Sequence, residues 1–312
     1  MTTSRLPSDP TLADRREGFL VGAVIGAALA ASTTDVTDPQ AIRDRLGPEG
    51  VPVALAPPAG CRRAATALAD ALLEQLATGG VDLRRLAGRW VEWWAEDGSD
   101  ADPLLALALD HLRDFDAPIE MLPAAGVAAI TAALPSALAA ASPQSMIAGA
   151  FHVARLIDPS EESALAAVAV VVAASRLLEG SRDFLPDVMA VLRANGAATD
   201  LLEAVRTIPR DPRTAPPLPR GVTPSPAASV TWLLWTVHHR PRGLDALAAM
   251  ALAGGVSPII GAALGALLGA RDGITVWPAA WLAAGGEEVT LRAALARRLG
   301  APSPLRATQT PP

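Results

Sequence analysis

Two adjacent arginines form the most suggestive chemical group in this chain. Arg62 and Arg63 follow Cys61 and stand just before the helical run TALADALLEQL. Paired guanidiniums can hold a phosphate bidentately without a metal ion, so both residues are candidates for binding an anionic ligand. The alternative is that both arginines are solvent-exposed at the start of a helix, because most charged side chains lie on the surface. Cys61 has no evident His or acid partner, so we assign it no catalytic role.

Other reactive side chains lack the spacing that chemistry requires. His238-His239 are adjacent, so on a helix they point in different directions; a helix C-terminus that favours imidazolium explains them more simply. His111 and His152 stand alone, without metal-ligand spacing. Glu161-Glu162 and Glu287-Glu288 have the character of helix-start charges. The sequence therefore offers no catalytic residue and no metal ligand set.

Composition narrows the classes of protein. The 312 residues are 51% hydrophobic but only 4% aromatic, which is typical of closely packed helices. A net charge of −6 argues against a nucleic-acid binder, because such proteins need a basic surface. The single Cys61 excludes an internal disulfide, and we expect a cytoplasmic protein.

Two uncharged segments imitate membrane sequences. Residues 18–34 follow Arg15 and Arg16 and resemble a signal peptide, but Asp14 and Glu17 interrupt the basic region. Residues 246–270 are long enough to span a bilayer, yet two glycines and a proline divide them into two halves. We expect two buried helices there and no association with a membrane.

Apolar residues recur at helical spacing along most of the chain, which predicts an all-α protein. The run from Leu83 to Trp94 predicts an amphipathic helix, and residues 164–175 predict a central buried one. We place a single domain at 14–299, with a proline-rich loop at 209–226 and disordered ends at 1–13 and 300–312.

Glycines recur at one spacing near both ends of the chain. Gly18, Gly22 and Gly26 form one set, and Gly261, Gly265 and Gly269 form the other. Each set lines a helix face with no side chains, which lets another backbone approach closely. We expect the first helix and a late helix to meet inside the protein.

The segment GGVSPIIGAALGALLGARDGITVWPAAW, residues 254–281, resembles the C-terminal signature of the ADP-ribosylglycohydrolase family. In that family two glycines precede an Asp-x-Asp-Thr loop and a small-residue helix. The glycine ladder that begins at Gly18 resembles the family's opening helix. Gly126-Val127-Ala128, with Ala132 and Pro135 downstream, resembles the family's mid-chain motif. The resemblance spans residues 14–299 and implies a compact orthogonal helical bundle in a single domain.

The positions that carry the family's chemistry differ in this chain. Val256, Pro258 and Ile259 stand where the family has its metal-binding acids and threonine. Arg62 and Arg63 stand where the family's Thr-Asp-Asp-Thr motif has its two acids. At ~4 Å and an effective dielectric of ~20, each arginine would repel a divalent cation by roughly 8 kcal/mol. Relatives use magnesium; we predict that this chain lacks it and has no other cofactor.

A few polar groups remain at the corresponding positions. Ala27 replaces a family acid, and a later family acid falls at Thr34, so the adjacent Asp35 is a candidate substitute. Ser257 is the only side-chain hydroxyl left in the closing loop. Asp35 and Ser257 therefore join Arg62 and Arg63 as candidate ligand-binding residues.

The resemblance leaves three functions open. The first is an inactive member, a pseudoenzyme, that binds a nucleotide, an ADP-ribose-like or other anionic small molecule, or a protein partner. The second is a divergent hydrolase of ADP-ribose glycosidic bonds with an altered metal site. The third is an interaction scaffold, for which we expect a filled cleft rather than an open pocket with converging polar groups.

Overall fold

The computed structural model of the chain describes residues 9–46, 63–138, 142–210, 212–221 and 223–300. Cys61 and Arg62 lie outside these residues, as do residues 1–8 and 301–312, where we predict disorder. The first helix begins at Leu12 and the last ends at Gly300. The domain boundaries at 14 and 299 therefore fall inside these helices.

The described residues form an all-α protein, as the periodicity predicts. Their only sheet-like pairing is an isolated antiparallel bridge between Arg220 and Val256. The helices, in chain order, are α1 (Leu12–Thr33), α2 (Pro39–Leu46), α3 (Ala64–Thr78), α4 (Leu83–Asp97), α5 (Pro103–Phe115), α6 (Ala128–Ala133), α7 (Pro143–Arg155), α8 (Glu161–Leu178), α9 (Leu185–Ala194), α10 (Thr199–Thr207), α11 (Pro226–His239), α12 (Gly243–Ala253), α13 (Pro258–Asp272), α14 (Ala279–Ala284) and α15 (Gly286–Gly300).

Short polar side chains fix where many of these helices begin. Thr11 caps α1 through a reciprocal pair of bonds with Asp14, and Ser160 accepts a bond from the Ser163 amide at the start of α8. Such side chains satisfy amides that have no partner within the helix. The helix starts predicted from the Glu161-Glu162 and Glu287-Glu288 pairs are confirmed, since both pairs lie in first turns.

The core surrounds α8, which packs against α6, α7, α9, α11 and α13. Its residues from Ala164 to Ala174 are buried on every side of the helix, which confirms the prediction of a central helix. The amphipathic helix is also confirmed as α4, whose Leu86, Trp90 and Trp93 are buried. Their i, i+4, i+7 spacing places all three side chains on one face.

The two glycine sets meet in the interior, as predicted, where α1 packs against α13. A Cβ placed on Gly22 would lie 2.2 Å from the carbonyl oxygen of Gly265, and one placed on Gly26 would lie 2.0 Å from that of Gly261. Gly18 faces Gly269 in the same way. The two backbones are therefore in direct contact, and the helices run antiparallel.

Two segments are interrupted where their glycine and proline residues predict a break in the helix. Residues 246–270 form the separate helices α12 and α13, divided at Gly254-Gly255 and Pro258. The proline-rich segment 212–221 contains no helix, although Pro209 belongs to a short 3₁₀ turn and Pro226 opens α11. Proline is favoured in that first-turn position because its missing N–H would have no helical partner there.

One helix in the described part of the chain, α1, is long and apolar enough to cross a membrane. Of its most apolar 18-residue window, 72% is buried inside the protein. Length and composition alone do not distinguish such a helix from a core helix. Its backbone contact with α13 is the packing of a core helix.

Candidate functional site

The closing signature loop lies between α12 and α13, against the end of α1. Gly254 and Gly255 both have positive φ angles, 64° and 72°. A Cβ on Gly254 would lie 2.0 Å from the carbonyl oxygen of Val36, and the Gly255 amide donates to the Thr33 carbonyl at 2.9 Å. Both glycines are required here because the loop adopts left-handed backbone angles in close contact with α1.

The residues after these glycines stabilise the fold, through core packing or helix capping. Val256 is 1% exposed and Ile259 is 4% exposed, so both belong to the core. Ser257 is buried, and its hydroxyl caps α13 by accepting a bond from the Ile259 amide at 3.3 Å. Pro258 occupies the first position of α13. The one hydroxyl that the sequence offers as a ligand is therefore engaged as a helix cap.

An arginine from the proline-rich segment lies over this loop. Arg220 pairs with Val256 in the antiparallel bridge, and the following Gly221 amide donates to the Gly255 carbonyl at 3.0 Å. The Arg220 guanidinium donates to the carbonyls of Ala253, at 3.0 Å, and Gly254, at 3.3 Å. These oxygens end α12, where the helix dipole favours a positive charge.

Asp35 lies on the neighbouring surface after α1. Its two carboxylate oxygens accept bonds from Arg45 at 2.5 and 3.0 Å, and both side chains are exposed. The hydrogen bond from Arg45 lowers the pKa of Asp35, so the carboxylate stays ionised and paired. The structure brings residues 33–37 next to the signature loop, but Asp35 itself is engaged by Arg45.

The start of α3 is held by an acid from another part of the chain. Arg63 occupies the N-cap position without a side-chain capping bond, and the Ala64 amide instead donates to the Asp100 carboxylate at 2.9 and 3.1 Å. Burial raises the pKa of Asp100, while the Ala64 hydrogen bond and the charge of Arg63 act in the opposite direction. Arg63 is half-buried beside this acid, and its Nε is buried without a hydrogen-bond partner.

The mid-chain motif is anchored in the core rather than opened to solvent. The Gly126 amide donates to the buried Asp158 carboxylate at 2.6 Å, and the Ser163 hydroxyl lies 2.8 Å from the same oxygen. Val127 and Ala132 are buried. This segment therefore serves to join the start of α8 to α6.

The family follows from comparison with known proteins. The model of the ADP-ribosylglycohydrolase family matches residues 8–307. The chain belongs to the ADP-ribosylglycohydrolase family. A solved structure described as an ADP-ribosylglycohydrolase-related protein complex superposes with a TM-score of 0.73 at 23% identity, covering 92% of this chain and 99% of that chain. This similarity establishes the shared fold. No curated protein matches the sequence.

The described residues of the signature loop do not offer the ligands needed by the magnesium ions that the family resemblance implies. Hard cations take carboxylate and other oxygen ligands, but the signature loop offers only backbone carbonyls and the capping Ser257. Nowhere in the described ranges do three or more His, Cys, Asp or Glu side chains cluster as a metal site would need. Arg220 adds a positive charge over the same loop.

Sequence reasoning missed two residues that shape the site, Arg220 and Asp100. Both act on backbone groups far along the chain, at Ala253 and Ala64 respectively. Neither lies in a repeated spacing or next to the element that it stabilises. The proline-rich composition around Arg220 predicts a loop but carries no signal for what that loop covers.

Proposed function

We propose that this ADP-ribosylglycohydrolase-family protein is catalytically inactive and acts by binding, either a nucleotide or ADP-ribose-like anion or a protein partner. The observation that carries the proposal is the closing loop. It has a buried Val256, a capping Ser257 and the Arg220 guanidinium where a hydrolase of this family would need ligands for cations. The expected cytoplasmic location, with the single Cys61 reduced, belongs to the same proposal.

Electrostatics supports binding without turnover. Two-metal hydrolysis requires carboxylates that clamp the cations and a water held between them. A guanidinium at the same place repels a divalent cation and supplies no ligand. Arg63, together with Arg62, offers donors for an anion instead, because arginines can hold a phosphate without any metal.

A hydrolysis assay separates the proposal from its enzyme rival. Release of ADP-ribose from an ADP-ribosylated substrate is measured with the full chain, with magnesium and again with a chelator. We expect no release above the protein-free rate in either condition. Release that magnesium stimulates and the chelator abolishes would establish the divergent hydrolase and refute the inactive member.

Calorimetric titration tests the ligand. ADP-ribose is titrated into the wild type, into the Arg62→Ala/Arg63→Ala variant and into the control Arg43→Ala, which removes an exposed arginine of α2 that donates to Gln40. We expect heat with the wild type and the control, and binding at least tenfold weaker in the double variant, since each charged hydrogen bond contributes about 1.5–3 kcal/mol.

An absence of heat from ADP-ribose and related nucleotides would exclude the small ligand. The structure contains one observation in favour of that outcome: Asp35 and Ser257 are already engaged by Arg45 and by the start of α13. The fold would then act as an interaction scaffold.

A further inference from the structure

A concavity lies between α3, α4 and α15. None of its lining residues belongs to the signature loop. Its volume is about 270 Å³. Its polar wall consists of Glu74, Gln75, Thr78, Arg85, Arg89 and Arg298. Ala71, Ala77 and Leu295 complete the lining and give it an apolar floor. Three guanidiniums and one carboxylate therefore share one small pocket.

The three arginines differ in how far they are already neutralised. Arg89 is paired with Glu92 at 2.6 Å and with Glu74 at 3.4 Å, and the hydrogen bond that it donates to Glu92 is the largest of the contacts that raise its pKa. Arg85 and Arg298 are exposed, and no acid in the described ranges pairs with either of them. Two guanidiniums at the pocket wall are thus without a paired acid among the described residues.

The wall also contains a buried amide with an unused donor. Gln75 is 4% exposed, and its Oε1 accepts a bond from the Asp82 amide at 2.7 Å. That bond fixes which end of the amide is the acceptor, so Nε2 is the free end. Nε2 has no hydrogen-bond partner in the described part of the chain. A buried donor left unpaired costs about 1–3 kcal/mol, and Nε2 is itself shielded from solvent, so an oxygen ligand reaches it only if the pocket wall shifts.

We propose that this pocket binds a small phosphoryl dianion between Arg85 and Arg298, with the apolar part of an organic phosphate on Leu295. Guanidiniums match the geometry of phosphate oxygens and are always charged. The volume lies just below the ~300–1,000 Å³ of drug-sized sites, so it suits a phosphate monoester or a diphosphate better than a whole dinucleotide. The proposal rests on α3, α4 and α15 and is independent of the proposed function.

Calorimetric titration of the full chain with inorganic phosphate, diphosphate and phenyl phosphate tests the site. We expect Arg85→Ala and Arg298→Ala each to weaken diphosphate binding about tenfold, as the loss of one charge-assisted contact implies. The neighbouring exposed arginines provide matched controls: Arg84→Ala and Arg297→Ala remove the same charge from the same helices but lie outside the pocket. Both controls should bind within about twofold of the wild type.

Glu74→Gln gives a result of the opposite sign. It removes the one carboxylate of the pocket wall and the longer of the two ion pairs of Arg89, which stays paired with Glu92, so diphosphate should bind several-fold more tightly. Tighter binding of phenyl phosphate than of inorganic phosphate would support an organic phosphate on Leu295, and equal binding would refute that part of the proposal. No heat from any of the three anions, or equal weakening in the two control variants, would overturn the site itself.

Discussion

The contact between α1 and α13 makes a strong prediction, because close backbone packing requires glycine there, whereas helical glycines such as Gly88 and Gly149 have open space around them. In Gly265→Ala, the new Cβ would lie 1.9 Å from the carbonyl oxygen of Gly22, and in Gly22→Ala it would lie 2.2 Å from that of Gly265. Ordinary contact needs about 3.5 Å, so the two helices would have to separate by more than ~1 Å. Neither contact can be relieved by a side-chain rotation, because the backbone fixes the position of the Cβ and the carbonyl oxygen that it meets is a backbone atom.

The magnitude follows from two opposing effects. Alanine is favoured over glycine within a helix by about 1 kcal/mol. Overpacking a core costs about 1–3 kcal/mol, and the upper end applies because the backbone must move, so after the gain from alanine we expect a net loss of about 2 kcal/mol in the free energy of unfolding. Once one substitution has separated the helices, the second clash is partly relieved, and the double variant should lose less than the sum of the two.

Chemical denaturation measures these changes, and two other helical glycines provide the controls. A Cβ on Gly88 in α4 or on Gly149 in α7 would meet nothing within 4 Å. Gly88→Ala and Gly149→Ala should therefore stabilise the protein by up to about 1 kcal/mol. If Gly265→Ala were as stable as the wild type, the backbones of α1 and α13 would not be in contact and the packing argument would fail.

Two further predictions concern single polar groups. Burial raises the pKa of Asp102, and the charge of Asp158 acts in the same direction, so the contribution of Asp102 to stability is present below its unfolded pKa and lost as the pH rises through its folded pKa. Asp102→Asn keeps a capping oxygen for α5, so this variant should be more stable than the wild type at pH 7, and the difference should shrink towards pH 4 in thermal unfolding curves. A variant less stable than the wild type at pH 7 would contradict this. Arg220→Ala removes two hydrogen bonds at the end of α12 and should lower the free energy of unfolding, measured in denaturant, by about 1 kcal/mol. Arg210 is an exposed residue near the other end of the connection between α10 and α11, so Arg210→Ala should cause no measurable loss. Equal effects of the two substitutions would contradict the role of Arg220.

Local patterns were enough to predict the helices and one long-range contact. Repeated glycine spacing predicted that α1 and α13 meet, because close backbone packing has to remove side chains from a whole helix face. The helix start at Glu161-Glu162 and the break at Gly254 to Pro258 were equally visible, since each depends on the preferences of the residues at that position. These features are encoded where they act.

The surroundings of the site were not predictable in the same way. The amide of Ala64 at the start of α3 is held by Asp100, and the Gly126 amide is held by Asp158. In both places an acid from another segment replaces a local cap. Such pairs depend on how helices are arranged in space, and one sequence contains no spacing that records them. The same holds for Arg220 over the signature loop.

Arginine is the only long basic side chain in this protein, since the sequence contains no lysine. Two buried arginines tie helix ends together. Arg15 donates to the carbonyls of Ala270 and Arg271 at the end of α13, and Arg271 donates to that of Val237 near the end of α11. Guanidinium suits this role because its several donors reach more than one unpaired carbonyl, where the helix dipoles also favour positive charge.

This structural use of arginine explains why an arginine-rich sequence does not by itself indicate phosphate recognition. An arginine that caps a helix, or that pairs with an acid as Arg45 does with Asp35, already has part of its donors engaged and its charge balanced. Arg85 and Arg298 differ, because they line a concavity and have no such partner in the described ranges. The number of arginines therefore says little about anion binding, while the distribution of their partners distinguishes the residues that hold the fold from those that can hold a phosphate.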